Sequence, residues 1–372
     1  DPQGSGRGVL VAANIDDLLI DQVTATNATN GLRVGTGIIL DGLTVTNSHF
    51  DGNLLQGWYL SEETPSDGMV TNVNVTNTTF NNNVNKGIYA EKLDNAVFDG
   101  ITVNNSGTGD VTNHRAGIDI NLKFADYSNI QILNSTITNS GTGDPNGGGV
   151  LIKARSNGGS GGVYGTNPAS LTNVTLTRLL VSGNGGGGDY AAGIRIGESN
   201  NSLTGIDAGP TNVTITHSAI TNNAAHGVRN ATAATTVMAE NNWWGCNYGP
   251  GTGGAGCAGT PNGISGLVDA DPWIVLGTSA SLNSINALGS STITGDMTHN
   301  SDAQDLGNTL PNVIPDLTVG WSATDGTMDP TSGTITLGTA TSEYDNTNPD
   351  ASSDQACATV SGQTTCEAIT IA

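Results

Sequence analysis

Gly57-Trp58-Tyr59-Leu60, Gly87-Ile88-Tyr89-Ala90, Gly117-Ile118-Asp119-Ile120, Gly149-Val150-Leu151-Ile152, Gly193-Ile194-Arg195-Ile196 and Gly227-Val228-Arg229-Asn230 are one phrase written six times. It reads glycine, apolar, any residue, apolar, with Asn230 in the last apolar place of the final copy. Successive glycines lie 30, 30, 32, 44 and 34 residues apart. Spacing of this kind marks one supersecondary unit stacked on copies of itself.

A second phrase precedes each copy, with apolar residues two apart and a turn of Thr and Asn. Its copies are Leu43 to Asn47, Val73 to Asn77, Ile101 to Asn105, Ile130 to Asn134, Val174 to Arg178 and Val213 to His217. Period two with β-branched residues predicts a strand buried on one face. A third short strand follows in most copies, as in Thr79-Phe80-Asn81, Thr136-Ile137-Thr138 and Ala219-Ile220-Thr221. Three strands per unit, no helical period and turns rich in Asn and Gly predict an all-β, right-handed parallel β-helix. A propeller blade wants four longer antiparallel strands, and leucine-rich repeats are shorter. Asn suits the corners because it tolerates left-handed dihedrals and can stack in ladders between coils. At roughly 4.8 Å per coil, seven or eight coils reach about 35 to 40 Å. The glycine-rich inserts from Asn157 to Ala169 and from Gly183 to Asp189 are expected to leave the coil and return.

Charge is uneven along the chain. All 11 Lys and Arg fall at or before Arg229, against 19 acids there, so this part is net −8; residues 230–372 hold 14 acids and no base, which completes the total of −22. An acidic surface of that kind argues against nucleic acid as a partner. There is no apolar run of the roughly 18 residues a membrane-spanning helix needs. Cys246 and Cys257 lie 11 apart and Cys357 and Cys366 lie 9 apart, two local pairs with none left over. They read as disulfides of an oxidising, extracellular compartment, and no nearby histidine suggests zinc.

The repeats stop near Asp271-Pro272-Trp273, which divides the chain into a β-helix over 1–276 and a second domain over 277–372. The second part alternates strands and turns, at Ser291 to Thr294, Leu317 to Trp321, Thr334 to Leu337, Ala356 to Val360 and Glu367 to Ile371, around one Trp. That pattern predicts an immunoglobulin-like β-sandwich. Trp243 and Trp244, at the end of the repeats, are expected to close the last coil rather than to bind sugar.

The coils resemble the right-handed parallel β-helix repeat proteins of bacterial and archaeal surfaces. Asn241 to Pro250, followed by Asp271-Pro272-Trp273, looks like the closing segment of such domains. Thr294 to Asn300 and Val319-Gly320-Trp321-Ser322-Ala323 resemble bacterial immunoglobulin-like modules of large surface proteins. The resemblance is specific for architecture and covers most of the chain. It implies a secreted structural or adhesive surface protein, with head-to-tail assembly into a filament as one form. It also implies two alternatives, a polysaccharide lyase and a non-catalytic polysaccharide-binding module.

The residue between the two apolar positions of the glycine phrase must point away from the core. This yields the row Tyr59, Tyr89, Asp119, Leu151, Arg195 and Arg229, with Glu91, Asn121 and Lys153 two positions on. Lys86, Lys92, Arg115, Lys123 and Arg155 lie in or beside the same strand, so eight of the 11 bases gather there. The candidate function of this face is to hold a polysaccharide, Tyr stacking on rings and Lys or Arg on carboxylates. The bland reading is an outer sheet kept soluble by ion pairs such as Asp119 with a neighbouring Lys. In lyases of this architecture an Arg or Lys takes a proton beside a calcium-held uronate; here that nominates Lys153 or Arg195 as base and Asp119 with Glu91 for calcium. The acids are too sparse for a dense calcium cluster, and no carboxylate pair announces a glycosidase. Asp269, Asp271, Asp325 and Asp329 read as turn carboxylates with calcium as the alternative, the five histidines read as turn residues, and no other cofactor is implied. Nine N-x-Ser/Thr sequons arise mainly from the repeat itself. The apolar start, Val9, Leu10 and Val11, has no helix to cover it, which nominates self-association through the N-terminal coil or through the immunoglobulin-like domain.

Overall fold

A computed structural model describes residues 6–61, 65, 68–109, 115–157, 162–198, 206–232, 235–258, 262–307 and 314–372. His114 and the sequon at Asn200 lie outside the described residues. The chain divides into two compact units: Asp1–Thr216 with Asn222–Ala239 and Asn262–Asp269, and His217–Thr221 with Glu240–Pro261 and Ala270–Ala372.

The first unit is a parallel β-helix built on two sheets of nine strands each. The first sheet runs Arg7–Val11, Asn30–Val34, Gln56–Leu60, Lys86–Ala90, Ala116–Leu122, Gly148–Ala154, Ala192–Ile196, His226–Asn230 and Gly263–Ser265. The glycine phrase therefore has further copies at Gly8-Val9-Leu10-Val11 and Gly31-Leu32-Arg33-Val34 that continue the same ladder. In the second sheet, Ile39–Thr46, Met69–Thr76, Leu93–Asp99, Asp126–Leu133, Ser170–Thr177 and Thr211–Thr216 follow one another. A third, narrower ladder passes through single bridges at Thr24, His49 and Thr79 before Thr102–Asn104, Thr136–Thr138 and Leu180–Ser182 pair as strands.

One expected strand belongs elsewhere. The phrase Ile101 to Asn105 looks like a copy of Val73 to Asn77, yet Ala96 and Phe98 take the places opposite Val73 and Val75. Thr102–Asn104 instead lies in the third ladder, against Thr136–Thr138. That coil is shorter than its neighbours, and the alternation reads the same on either sheet.

The core is a set of columns. Leu32, Trp58, Ile88, Ile118, Val150, Ile194 and Val228 are successive partners in the first sheet, and all are fully buried. Phe50 stacks on Phe80 one coil on, with centroids 5.7 Å apart. The corners need positive φ, as the sequence expects of asparagine: Asn47, Asn77 and Asn134 adopt φ 49°, 45° and 48°. The same corner holds Arg178 at φ 54°, in a region that costs an L-residue other than Asn, Asp or Gly roughly 1–2 kcal/mol.

At an inner corner, polar side chains close what the sheets leave open. The Oδ1 of Asn53 accepts from the N–H of Ala28, Asn83 from Asn53, Asn184 from Ser140 and Asn223 from Asn184. Ser106 and Ser140 do the same with hydroxyls for Asn83 and Ser106. Every donor belongs to one coil and its acceptor to the next. Buried amides that no strand pairs thus keep a partner.

The second unit carries a β-sandwich. One sheet orders Ile274–Ala280, Ser290–Asn300, Thr339–Asp345 and Thr327–Asp329; the other orders Ser284–Ile285, Gln363–Ile371, Ser353–Val360, Leu317–Ala323 and Ser332–Ile335. Ser361 and Gly362, both at positive φ, turn the hairpin between Ser353–Val360 and Gln363–Ile371. Cys357 faces Cys366 across that hairpin and the two form a disulfide; Cys246 and Cys257 form the other. The buried Asp354 carboxylate accepts from the amides of Thr324, Asp325 and Gly326 and from the Tyr344 hydroxyl. Trp243 and Trp244 are fully buried, so neither presents a face to a sugar.

Candidate functional site

The outward row of the first sheet is in the expected register. Arg33, Tyr59, Tyr89, Asp119, Leu151, Arg195, Arg229 and Ser265 are successive partners. Arg33 is the residue sequence reading misses; its signal is the glycine phrase at Gly31, one coil before the first of the six copies. With it and with Arg7, which begins the first strand, ten of the 11 bases lie on or beside this sheet.

Exposure differs from the expectation of an open face. Glu91, Asp119, Asn121, Leu151, Lys153 and Arg195 are buried, and only Arg33, Tyr59, Tyr89 and Arg229 are half-buried. These side chains point away from the coil core, as alternation requires, but they pack on one another and, at Arg195, under loops. Arg195 shows how: its Nη1 donates to the carbonyls of Asn146 at 2.7 Å and Tyr190 at 2.8 Å. Both acceptors lie in loops between coils, and those loops are glycine-rich because they touch. A Cβ on Gly186 would collide with the carbonyl oxygen of Asp144, and one on Gly188 would fall 2.7 Å from that of Pro145.

On the same outer face, over the strands that carry Tyr59, Tyr89, Asp119 and Lys153, lies a cleft of about 320 Å³. Its lining brings together five of the eight nominated residues: Tyr59, Tyr89, Asp119, Asn121 and Lys153. Lys86 and Arg155 join them, with Gln56 and Asn85 at one side. Glu91 lies just behind, bound to the Tyr89 hydroxyl; Arg195 and Arg229 are not among the lining residues.

The floor of the cleft is an ion cluster. Lys86 Nζ is 2.6 Å from Asp119 Oδ2, and Lys153 Nζ is 3.0 Å from Oδ1. The second contact is an ion pair off the angle of a good hydrogen bond, since Oδ1 has no aligned donor. Burial alone would raise the Asp119 carboxyl, but Lys153 and Lys86 outweigh it and hold it well below the usual carboxylate range. Burial lowers the Lys86 ammonium from its usual value, and Asp119 opposes the change. Two ammoniums thus share one carboxylate, one positive charge in excess. Lys123 pairs with Glu91, and Arg155 Nη1 lies 2.5 Å from Glu198 Oε1.

Aromatic rings form one wall. Tyr59 and Tyr89 stack with centroids 5.8 Å apart, Arg33 lies 5.2 Å from the Tyr59 centroid, and Lys86 Nζ lies 4.0 Å from that of Tyr89. Burial, with Glu91 and Asp119, pushes the Tyr89 phenol above its usual value and keeps it protonated. Its one proton goes to Glu91, so its oxygen accepts from Asn121 Nδ2 at 3.1 Å. This orients the amide: Asn121 Oδ1 faces the other way, buried and with no hydrogen-bond partner among the described residues.

At the far side of Arg155, Tyr164 stacks over the guanidinium at 4.5 Å from its ring centroid. Asp207 is buried next to this group; it accepts from the amides of Ser156 and Asn157, while burial raises its carboxyl above the usual value. Sequence reading singles out neither Asp207 nor Glu198, because both follow the strand and carry no periodic signal.

Of the nominated assembly residues, Val9, Leu10 and Val11 lie in the edge strand Arg7–Val11, paired with Asn30–Val34. Leu10 is 49% exposed, and an apolar hollow of about 280 Å³ runs from Val9 to Leu18. Among the described residues no three His, Cys, Asp or Glu side chains stand close enough to hold a metal, and Asp119 and Glu91, nominated for calcium, are engaged by lysines. No helix among them is long and apolar enough to cross a membrane. Compared with protein-family profiles, with curated proteins and with solved structures, the chain matches none.

Proposed function

We propose that the β-helix is a non-catalytic saccharide-binding module of an extracellular, adhesive surface protein. One observation carries this reading: a stacked tyrosine pair and two ammoniums sharing a single carboxylate line the same cleft. Rings of that kind cover the apolar face of a sugar, and the excess charge attracts a carboxylate. The two disulfides suit an oxidising compartment.

The two residues nominated as a lyase base are engaged by other groups of the protein. Lys153 lies against Asp119, and Arg195 is fully buried on two carbonyls. The test is calorimetric titration of the whole chain with neutral and acidic oligosaccharides, with ultraviolet detection of unsaturated products in parallel. Binding without turnover is expected. Turnover would overturn the non-catalytic reading, and absence of any saccharide binding would overturn the function itself.

The apolar edge strand favours a second reading, self-association of copies through the first coil into a filament. Electron microscopy and sedimentation at high concentration test it; monomers throughout would remove it.

A further inference from the structure

Resting on the saccharide reading, we infer that the cleft binds a chain end: it takes the terminal ring of an oligosaccharide, and that ring carries an anionic group. The first support is the course of exposure along the ladder. Arg33, Tyr59 and Tyr89 are half-buried, from Asp119 through Leu151 to Arg195 the row is fully buried, and Arg229 beyond it is half-buried again. Among the described residues the trough is open at the Tyr59 end and covered from Asp119 to Arg195, where the Asn146 and Tyr190 carbonyls hold Arg195 under the loops.

The loops over Arg195 pack backbone to backbone. Gly186 and Gly188 pack against the backbone of Asp144 and Pro145 with no room for a side chain, and the Gly188 amide donates to the Pro145 carbonyl at 2.7 Å. A polymer running along the sheet cannot continue past them. Arg33 and Lys153 stand on the first and last of five adjacent strands, a span of about 19 Å at roughly 4.8 Å per step, which suits about four rings.

The closed end also states what it lacks. Lys86 and Lys153 together carry one positive charge more than Asp119 neutralises. Beside them, Asn121 Nδ2 donates to the Tyr89 hydroxyl and so holds the ring that walls the cleft. A terminal sugar bearing an anionic group answers that charge, since its anion meets the ammoniums. The chain then leaves over Tyr89 and Tyr59 toward Arg33.

The probes are a disaccharide and a tetrasaccharide ending in a hexuronate, tetrasaccharides ending in the same ring with its carboxyl reduced to an alcohol and in a sulfated ring, and polymers of increasing length. Calorimetry on the whole chain should show one protein bound per polymer end whatever the length. Carboxyl reduction of the terminal ring alone should weaken binding about tenfold or more. The sulfated probe decides which anion the ammoniums accept: binding equal to the hexuronate makes the site general for anions, and weaker binding makes it a carboxylate site. Tyr59→Ala, at a half-buried position, should weaken the tetrasaccharide about fivefold and leave the disaccharide unchanged. Asn121→Leu, checked for folding by circular dichroism, should weaken both. Stoichiometry that rises with polymer length, or equal affinity for polymers with blocked ends, overturns the inference while leaving saccharide binding intact. If no saccharide binds at all, the underlying reading fails first.

Discussion

Asp119→Asn keeps the shape of the cleft floor and removes the charge that two lysines share. The wild-type side chains of Lys153 and Asp119 are only 2% and 1% exposed, whereas Lys86 keeps 12% and lies over the Tyr89 ring. Breaking a buried pair by deleting one partner costs about 3–5 kcal/mol. The residual access of Lys86 and its ring contact place this case near about 3 kcal/mol. For a unit of this size that corresponds to a melting temperature lower by roughly 6–12 °C. Urea denaturation followed by circular dichroism at pH 7 gives the free energy directly.

A pH series gives the cause. In the variant Lys86 keeps its burial and loses the anion that opposes its lowering, so its folded pKa falls further below the unfolded value of about 10.4. The penalty is therefore complete below the folded value and fades as the pH rises toward about 10, where a neutral amine costs little to bury. Asp119→Asn combined with Lys153→Met should recover part of the loss at pH 7. An Asp119→Asn protein within about 1 kcal/mol of wild type at pH 7, or one whose deficit ignores pH, would refute the reasoning.

Three further outcomes are expected. Asn83→Leu strands the amide of Asn53 and the carbonyl of Phe50 and should cost about 2–4 kcal/mol in urea denaturation, whereas Asn83→Ser, which supplies the hydroxyl that Ser106 and Ser140 use, should cost about half as much. Arg178→Asn puts the favoured residue at a corner with φ 54° and should raise stability by about 0.5–1 kcal/mol on the same measurement; a loss of that size would contradict the corner argument. Asp207→Asn keeps the acceptor for Ser156 and Asn157 and removes a carboxyl whose pKa burial raises. A raised carboxyl makes folding weaker as pH climbs from the unfolded value of about 4 through the folded one, so the variant should be the more stable protein at pH 7 and equal to wild type below about pH 4.

Much of this fold is legible in the sequence because glycine and alternation constrain geometry directly. A glycine stands at the start of each strand of the first sheet where neighbouring backbones approach, and period two then assigns Trp58 inward and Tyr59 outward without further information. The phrase at Ile101 shows the limit, since alternation names a strand but not its sheet. Alternation places the row from Tyr59 to Arg229 correctly and says nothing of its exposure. Burial of Arg195 comes from loops such as Asp144 to Asn146 and Gly185 to Tyr190, whose aperiodic sequence does not declare where they fold, while Asp119 lies between Lys86 and Lys153. The sandwich strand Thr339–Asp345 escapes sequence reading for a related reason: in Thr-Ala-Thr-Ser-Glu-Tyr-Asp only Tyr344 and Ser342 are buried, too few to show a period.

The inner ladder of Asn and Ser has a direction. Each coil offers an amide that only the following coil can satisfy, from Ala28 with Asn53 to Asn184 with Asn223. A chain emerging from the ribosome makes the donor first and its acceptor one coil later. Every newly made coil is therefore incomplete until its successor arrives, so maturation of the solenoid trails synthesis by one repeat along its length.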